Sequence, residues 1–244
     1  MLSITVVVDN ESNPSRKDLI SGWGLSLYVQ YNDDHLLFDL GHDEYVFLNN
    51  LRLLGLDLGS VRHVIISHEH GDHTGGLGAI VELGKRVTLY LPSPSFLESR
   101  LSELVNVRVV KDVENILNDV YVVSFHNGVI PEQVLVFNKS FGLVVLVGCS
   151  HPGVFKIINT CAGLFKKDVH VLIGGLHLFR LNRRDLRLVV DRICRSSTVR
   201  FVCPLHCSGE EIKHELERAC PEKLIYGRVG SVVRIDDLGN ISVE

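Results

Sequence analysis

The residues able to do chemistry are concentrated in Ser67-His68-Glu69-His70-Gly71-Asp72-His73-Thr74-Gly75-Gly76, directly after the apolar run Val64-Ile65-Ile66. Crowding His68, His70, Asp72 and His73 together is unfavourable unless a cation binds them. Neutral imidazole with ionised carboxylate is the donor set of a Zn²⁺-like ion. In extended backbone His68 and His70 point to the same side, so they can share one ion. A turn at Gly71 then re-aims Asp72 and His73 toward a second ion, and paired ions of this kind lie about 3.5–4 Å apart. The bland alternative is a strand-to-helix loop with Asp72 as helix N-cap. It accounts for one residue of the cluster and leaves the imidazoles unexplained.

The elements around this stretch put more histidines in reach of it. Short β-branched and aliphatic runs predict strands at Ile4–Val8, Leu25–Gln30, His35–Asp39, Arg62–Ile66 and Val87–Leu91. A polar loop of functional length, Asp9–Trp23, joins the first two. Helical spacing is expected over Tyr45–Leu54, Gly76–Leu83 and a short stretch within Pro92–Leu104. Strands at Val105–Val110 and Val120–Phe125 and a hairpin of Val134–Phe137 with Leu143–Val147 follow. Strand, loop and helix then alternate, with strands at Leu143–Val147, Val169–Ile173 and Phe201–Cys203 and helices reaching Phe165, Arg195 and Ala219. Closing strands near Ile225 and at Val232–Ile235 precede a hairpin at Asp236–Asn240.

Asp39, His68–His73, His151, His177 and His206 each fall just past the C-terminal end of one of these strands. In layered α/β folds those ends form one rim, where ligands bind. Two ions need more donors than the first cluster supplies, which favours His151 and His206 as metal ligands over structural loop histidines. For His177 a ligand, a substrate donor and a structural loop residue are all open. Its loop carries Gly174-Gly175, which admits a ligand or a neighbouring backbone closely. The ion sites can be filled without it, so the expected role is a substrate donor. His126 and His170 have no such context.

The pattern His-x-His-x-Asp-His after an apolar strand, with Thr-Gly-Gly opening the next helix, resembles the metallo-β-lactamase superfamily. Gly148-Cys149-Ser150-His151-Pro152-Gly153, Gly174-Gly175-Leu176-His177-Leu178 and His206-Cys207-Ser208-Gly209 are similar to one branch of it. That branch comprises the 7,8-dihydropterin-6-ylmethyl-4-(β-D-ribofuranosyl)aminobenzene 5'-phosphate synthase-like proteins of methanopterin biosynthesis. Leu25-Ser26, Phe38-Asp39-Leu40-Gly41, Asn49 and Glu132-Gln133-Val134-Leu135 extend the likeness over nearly the whole chain.

The resemblance implies an α/β fold, a four-layer αββα sandwich with mixed β-sheets. It also implies that Asp39 orients ligand imidazoles from behind. Two departures bear on specificity. The branch carries Glu-His-Gly where this chain reads Gly22-Trp23-Gly24, and Phe96–Pro131 is shorter, with Ile130-Pro131-Glu132 in place of the branch's Ile-Pro-Arg. The bridging Asp of many superfamily hydrolases is also missing; Cys149 or Ser150 stands near its place.

Composition narrows the class. The 244 residues are 45% hydrophobic and 22% charged, enough for one sizeable core and a single domain over residues 1–244. A formal net charge of −4 gives no global positive field, so nucleic acid is not an expected partner. No apolar run is long enough for a membrane span, and Met1–Asp9 reads as a first strand and not a signal peptide, which makes the expected location cytoplasmic. The six cysteines contain no Cys-x-x-Cys pair; Cys161, Cys194 and Cys220 read as buried or helical thiols. Oligomeric state is not legible.

The expected protein is a metal-dependent hydrolase or diphosphate-displacing transferase holding two divalent ions, zinc first, with iron or manganese also suited to such ligands. Asp72 would both ligate and orient the nucleophile. The small-molecule substrate would bear a phosphate or diphosphate, as the resemblance to the pterin synthase branch implies. A hydrolase of a phosphodiester, cyclic nucleotide or lactone is the alternative enzyme. A non-catalytic sensor of metal or pterin is the alternative of another class.

Overall fold

Residues 1–126 and 128–244 are described by the computed structural model. The chain runs β1 (Leu2–Val8), β2 (Ser26–Tyr31), β3 (Asp34–Phe38), α1 (Glu44–Leu53), β4 (His63–Ile65), α2 (Gly71–Thr74), α3 (Leu77–Leu83), β5 (Thr88–Pro92), α4 (Glu98–Leu101), β6 (Asn106–Val110), β7 (Val113–Leu117), β8 (Val120–Phe125), β9 (Glu132–Lys139) and β10 (Gly142–Val147). It continues through α5 (Val154–Phe165), β11 (Val169–Gly175), α6 (Arg183–Arg195), β12 (Val199–Leu205), α7 (Glu210–Ala219), β13 (Val232–Ile235) and β14 (Ile241–Val243).

These strands form two sheets, ordered β14-β13-β1-β2-β3-β4-β5-β6 and β12-β11-β10-β9-β8-β7. Both are mixed: β3 to β6 and β10 to β12 pair in parallel, and the hairpins pair antiparallel. Period-two alternation sorts the apolar side chains into three layers of core. In β10, Val144 and Leu146 face the opposite sheet, whereas Leu143, Val145 and Val147 pack toward α5, α6 and α7. The outer face of the first sheet buries Leu37, Val64 and Leu89 against Val46, Phe47 and Leu51 of α1 and Ala79 and Ile80 of α3. The result is the four-layer αββα sandwich. Truncating a fully buried residue such as Leu146 to alanine would cost about 2–5 kcal/mol.

Local chemistry sets the helix starts. Asp43 caps α1 by accepting the Val46 N–H, and Asn182 caps α6 by accepting the Asp185 N–H. That second cap starts α6 at Arg183, leaving Leu178–Leu181 as loop on the rim. Near Ile225 there is an isolated Val202–Leu224 bridge in place of a strand. β7 was not anticipated, because Val-Glu-Asn-Ile-Leu is half exposed and carries no strong strand signal. Cys194 and Cys220 are not free thiols: they form a disulfide joining the ends of α6 and α7, with their Cα atoms 5.7 Å apart. Among the described residues no helix is long and apolar enough to cross a membrane.

The C-terminal ends of β3, β4, β10, β11 and β12 open on one rim. Asp39, Ser150, His177 and His206, each just past such an end, all adopt positive φ (60°, 58°, 55° and 48°). Non-glycine residues held in this region carry strain of order 1–3 kcal/mol each, which the surrounding bonds must offset. That strain lies where the chemistry-bearing side chains converge.

Candidate metal centre

Asp39 anchors the first set of imidazoles. It is fully buried; Oδ1 accepts the Ser67 N–H at 2.6 Å, and Oδ2 accepts the Ser67 hydroxyl and lies 2.7 Å from His73 Nδ1. With its hydroxyl given to Asp39, Ser67 Oγ accepts from His68 Nδ1 at 3.0 Å. Asp39 thus places the proton of His73 directly and that of His68 through Ser67, leaving both Nε2 atoms bare.

Two groups of donors meet. His68 Nε2 lies 3.0 Å from His70 Nδ1 and 3.2 Å from His151 Nε2. Burial, and then the neighbouring imidazoles, hold His68 well below its ordinary pKa, and burial and His177 lower His151 to about 4. Both are therefore neutral, the ligating form. On the other side, Asp72 Oδ2 lies 3.2 Å from His206 Nε2 and 3.8 Å from His73 Nε2. Asp72 sits inside α2, whose N-cap is His70, so the capping alternative does not hold.

His206 tests whether these groups suit a cation. Its N–H is held by Asp9 Oδ1 at 2.7 Å, and its Nδ1 lies 2.9 Å from Asn10 Oδ1. Its Nε2 is buried and, despite its nearness to Asp72, has no hydrogen-bond partner. A buried polar atom left unpaired is costly unless something occupies the space in front of it. Bare imidazole nitrogens, an ionised carboxylate and a nearby sulfur suit a divalent ion that prefers nitrogen and sulfur.

The third strand end is fixed from behind. Glu132, fully buried, accepts the N–H groups of Cys149, Ser150 and His151 at 2.9, 2.8 and 2.6 Å. Burial pushes its pKa up to about 7 against the pull of these donors. Gln133 beside it ties the two sheets, donating to the carbonyls of Ile66 and Tyr90.

All the expected residues reach this rim. His68, His70, His151, Asp72, His73 and His206 converge, and Asp39 stands behind them. His177 is exposed, its ring 4.7 Å from that of His151, and one of its nitrogens lies within 4.8 Å of the Cys149 and Cys207 sulfurs. Gly174-Gly175 admits neighbouring protein atoms and not a ligand: a Cβ on Gly175 would meet Gly148 O at 2.2 Å and Cys207 Sγ at 2.6 Å. The Ser208 hydroxyl accepts the Leu176 N–H. His170 packs between Phe141 and Phe201, with Nε2 2.7 Å from Gly239 O. His126 is exposed.

Sequence reasoning missed Asp9, Asn10, Trp23 and Glu132. Asp9 had a signal: it is an acid just past the end of an apolar strand, as Asp39 is. Trp23 Nε1 donates to Asp72 Oδ2, and the Trp23 ring meets Phe179 and His206 edge-on, with centroids 4.9 and 5.1 Å apart. A small apolar cavity of about 160 Å³ opens beside His70 and Glu69, lined by Pro92, Pro94, Phe96, Val129, Ile130 and Pro131.

Comparison with known proteins agrees with this architecture. A solved metal-dependent hydrolase of the beta-lactamase superfamily, Tm1679, superposes with a TM-score of 0.80 at 26% identity, covering 97% of this chain and 100% of that one. An uncharacterized protein of Methanocaldococcus jannaschii is 22% identical over 95% of this chain and its own full length. The 7,8-dihydropterin-6-methyl-4-(beta-D-ribofuranosyl)-aminobenzene-5'-phosphate synthase of the same organism is 25% identical, covering 83% of this chain and 89% of its own. The sequence model of the metallo-beta-lactamase superfamily matches residues 24–153, more than half of the 244 residues, and the chain belongs to that superfamily.

Proposed function

We propose that this protein is a metal-dependent enzyme acting on a small organic molecule that carries a phosphate or diphosphate. The observation that carries the reading is the convergence of His68, His70 and His151 with Asp72, His73 and His206 around bare, buried nitrogen atoms beside an apolar cavity. The ligands come from the ends of strands in both sheets, so residues 1–244 act as one domain.

Divalent ions bound there would supply Lewis acidity, offsetting negative charge on a departing phosphate oxygen. The chain's own residues do the positioning. Asp39 and Asn10 fix which nitrogens of His73 and His206 face the substrate side. Asp72, aimed by Trp23, ligates and orients the nucleophile. His177 lies on the open side, where a donor would meet phosphate charge. The apolar cavity beside His70 offers a face for a flat ring.

The dihydropterin synthase relative supports a particular substrate class: a pterin-methyl diphosphate whose diphosphate is displaced by an aromatic amine. In that step the amine nitrogen bonds to the methylene carbon, the carbon–oxygen bond breaks, the diphosphate leaves with the electron pair, and the nitrogen gives up its proton to solvent. Hydrolysis is the second reading, favoured by the similar solved protein described as a metal-dependent hydrolase. The test is diphosphate release by metal-loaded protein from a pterin-methyl diphosphate, with and without an arylamine. Release that needs both metal and amine supports transfer, and release without amine supports hydrolysis. No turnover of pterin diphosphates, phosphodiesters or lactones, with pterin binding intact, would make the protein a sensor.

A further inference from the structure

We propose that Cys149 Sγ is the ligand shared by the two ions of this centre, a thiolate bridge where a carboxylate would be expected. The inference rests on the metal-centre reading above and adds to it the identity of the common donor. Cys149 Sγ belongs to three candidate ligand triads at once, and two of them lie on the two sides of the centre. One is formed with His68 and His151, the other with His73 and His206, and the donor atoms of each lie within 4.8 Å of one another. The sulfur is 3.3 Å from His73 Nε2. His206 supplies an independent sign that this space takes a ligand, because its buried Nε2 points there with no partner.

The other candidates for the shared position are committed elsewhere. Ser150, next in the chain, turns its hydroxyl away to donate to Gly175 O at 2.7 Å. Asp39 is taken up by Ser67 and His73, and Glu132 by three backbone N–H groups. Asp72 approaches the His73 and His206 side. Glu132 at the same time fixes the Cys149 backbone. The geometry is feasible: two zinc–sulfur bonds of about 2.3 Å span ions about 3.5–4 Å apart. A thiolate in that place also selects among metals, favouring zinc or iron over manganese.

The competing sulfur site is the triad of Cys149, His177 and Cys207, whose donors also lie within 4.8 Å of one another. Cobalt(II) loading of the full-length protein separates the readings, with metal content and the sulfur-to-cobalt charge-transfer band as readouts. Wild type should bind about two ions per chain and show the band. Cys149→Ser should lose the band and at least one ion, Cys149→Asp should regain about two ions without the band, and Cys207→Ala should keep both. A band that survives Cys149→Ser, or vanishes in Cys207→Ala, overturns the bridge. Two ions in wild type with no band overturn the bridge but leave the metal centre standing, whereas no uptake at all removes the metal centre itself. X-ray absorption on zinc-loaded wild type gives the answer even if a variant misfolds. Sulfur at about 2.3 Å from both ions supports the bridge, and a sulfur-free shell refutes it.

Discussion

Trp23 Nε1 donates a hydrogen bond of 3.0 Å to Asp72 Oδ2, the same oxygen that faces His206. An exposed indole therefore aims a buried-side carboxylate. The flanking glycines make this possible: a Cβ on Gly24 would meet Asp72 O at 2.7 Å, and one on Gly22 would strike the His42 ring. This is the segment where the chain departs from the synthase branch.

Replacing Trp23 with phenylalanine keeps the ring against Phe179 and removes the donor. Hydrogen bonds to charged groups contribute about 1.5–3 kcal/mol, so turnover should fall about 10- to 100-fold with metal content near normal. Because Trp23 is the sole tryptophan, wild-type emission should also change as metal is titrated in. Unchanged turnover in Trp23→Phe would leave Asp72 oriented by other means.

Asp39 sets the proton positions of His73 and, through Ser67, of His68. Asp39→Asn would put an amide where two donors now converge. Metal affinity, measured by chelator competition, should drop about 10- to 100-fold. Wild-type affinity in that variant would show that the imidazoles are oriented by their packing alone.

Glu132 accepts three N–H groups in a fully buried place, so Glu132→Gln turns part of the acceptor into a donor facing donors. Each unsatisfied buried group costs about 1–3 kcal/mol. For a chain of this size the melting temperature falls by about 2–4 °C per kcal/mol. Calorimetry should show a loss of several degrees in the metal-free protein, and His151 should lose its place as a ligand. A melting temperature equal to wild type would mean that the Cys149–His151 loop is held by its neighbours.

The candidate ligands were legible because metal donors must lie close together and at strand ends. His68 to His73 are adjacent in sequence, and His151, His177 and His206 repeat one strand-end context. The four layers followed from the family resemblance alone, because strands such as β10 are apolar throughout and show no alternation to read. The supports were harder to see: Glu132 acts on backbone N–H groups, which have no sequence signature, and Asp9 offers only its place at a strand end. The Cys194–Cys220 disulfide joins residues 26 apart across a helix and a strand, and nothing in its spacing announces the pair. The start of α6 is set by the Asn182 cap and not by the apolar residues before it.

His177 is the residue on which the readings divide most sharply. It is exposed at positive φ, stands beside His151, and is also within reach of the Cys149 and Cys207 sulfurs. The Cys207 side chain beside it raises its pKa. A substrate donor there would stabilise charge on a leaving phosphate, so His177→Ala should keep the metal content and lower turnover by about 10²–10³. A ligand role predicts lost metal instead. A loop-fixing role predicts a lower melting temperature with turnover little changed. Metal content, melting temperature and rate measured on this one variant separate the three. Loss of an ion would make His177 a ligand and move the phosphate donor elsewhere on the rim.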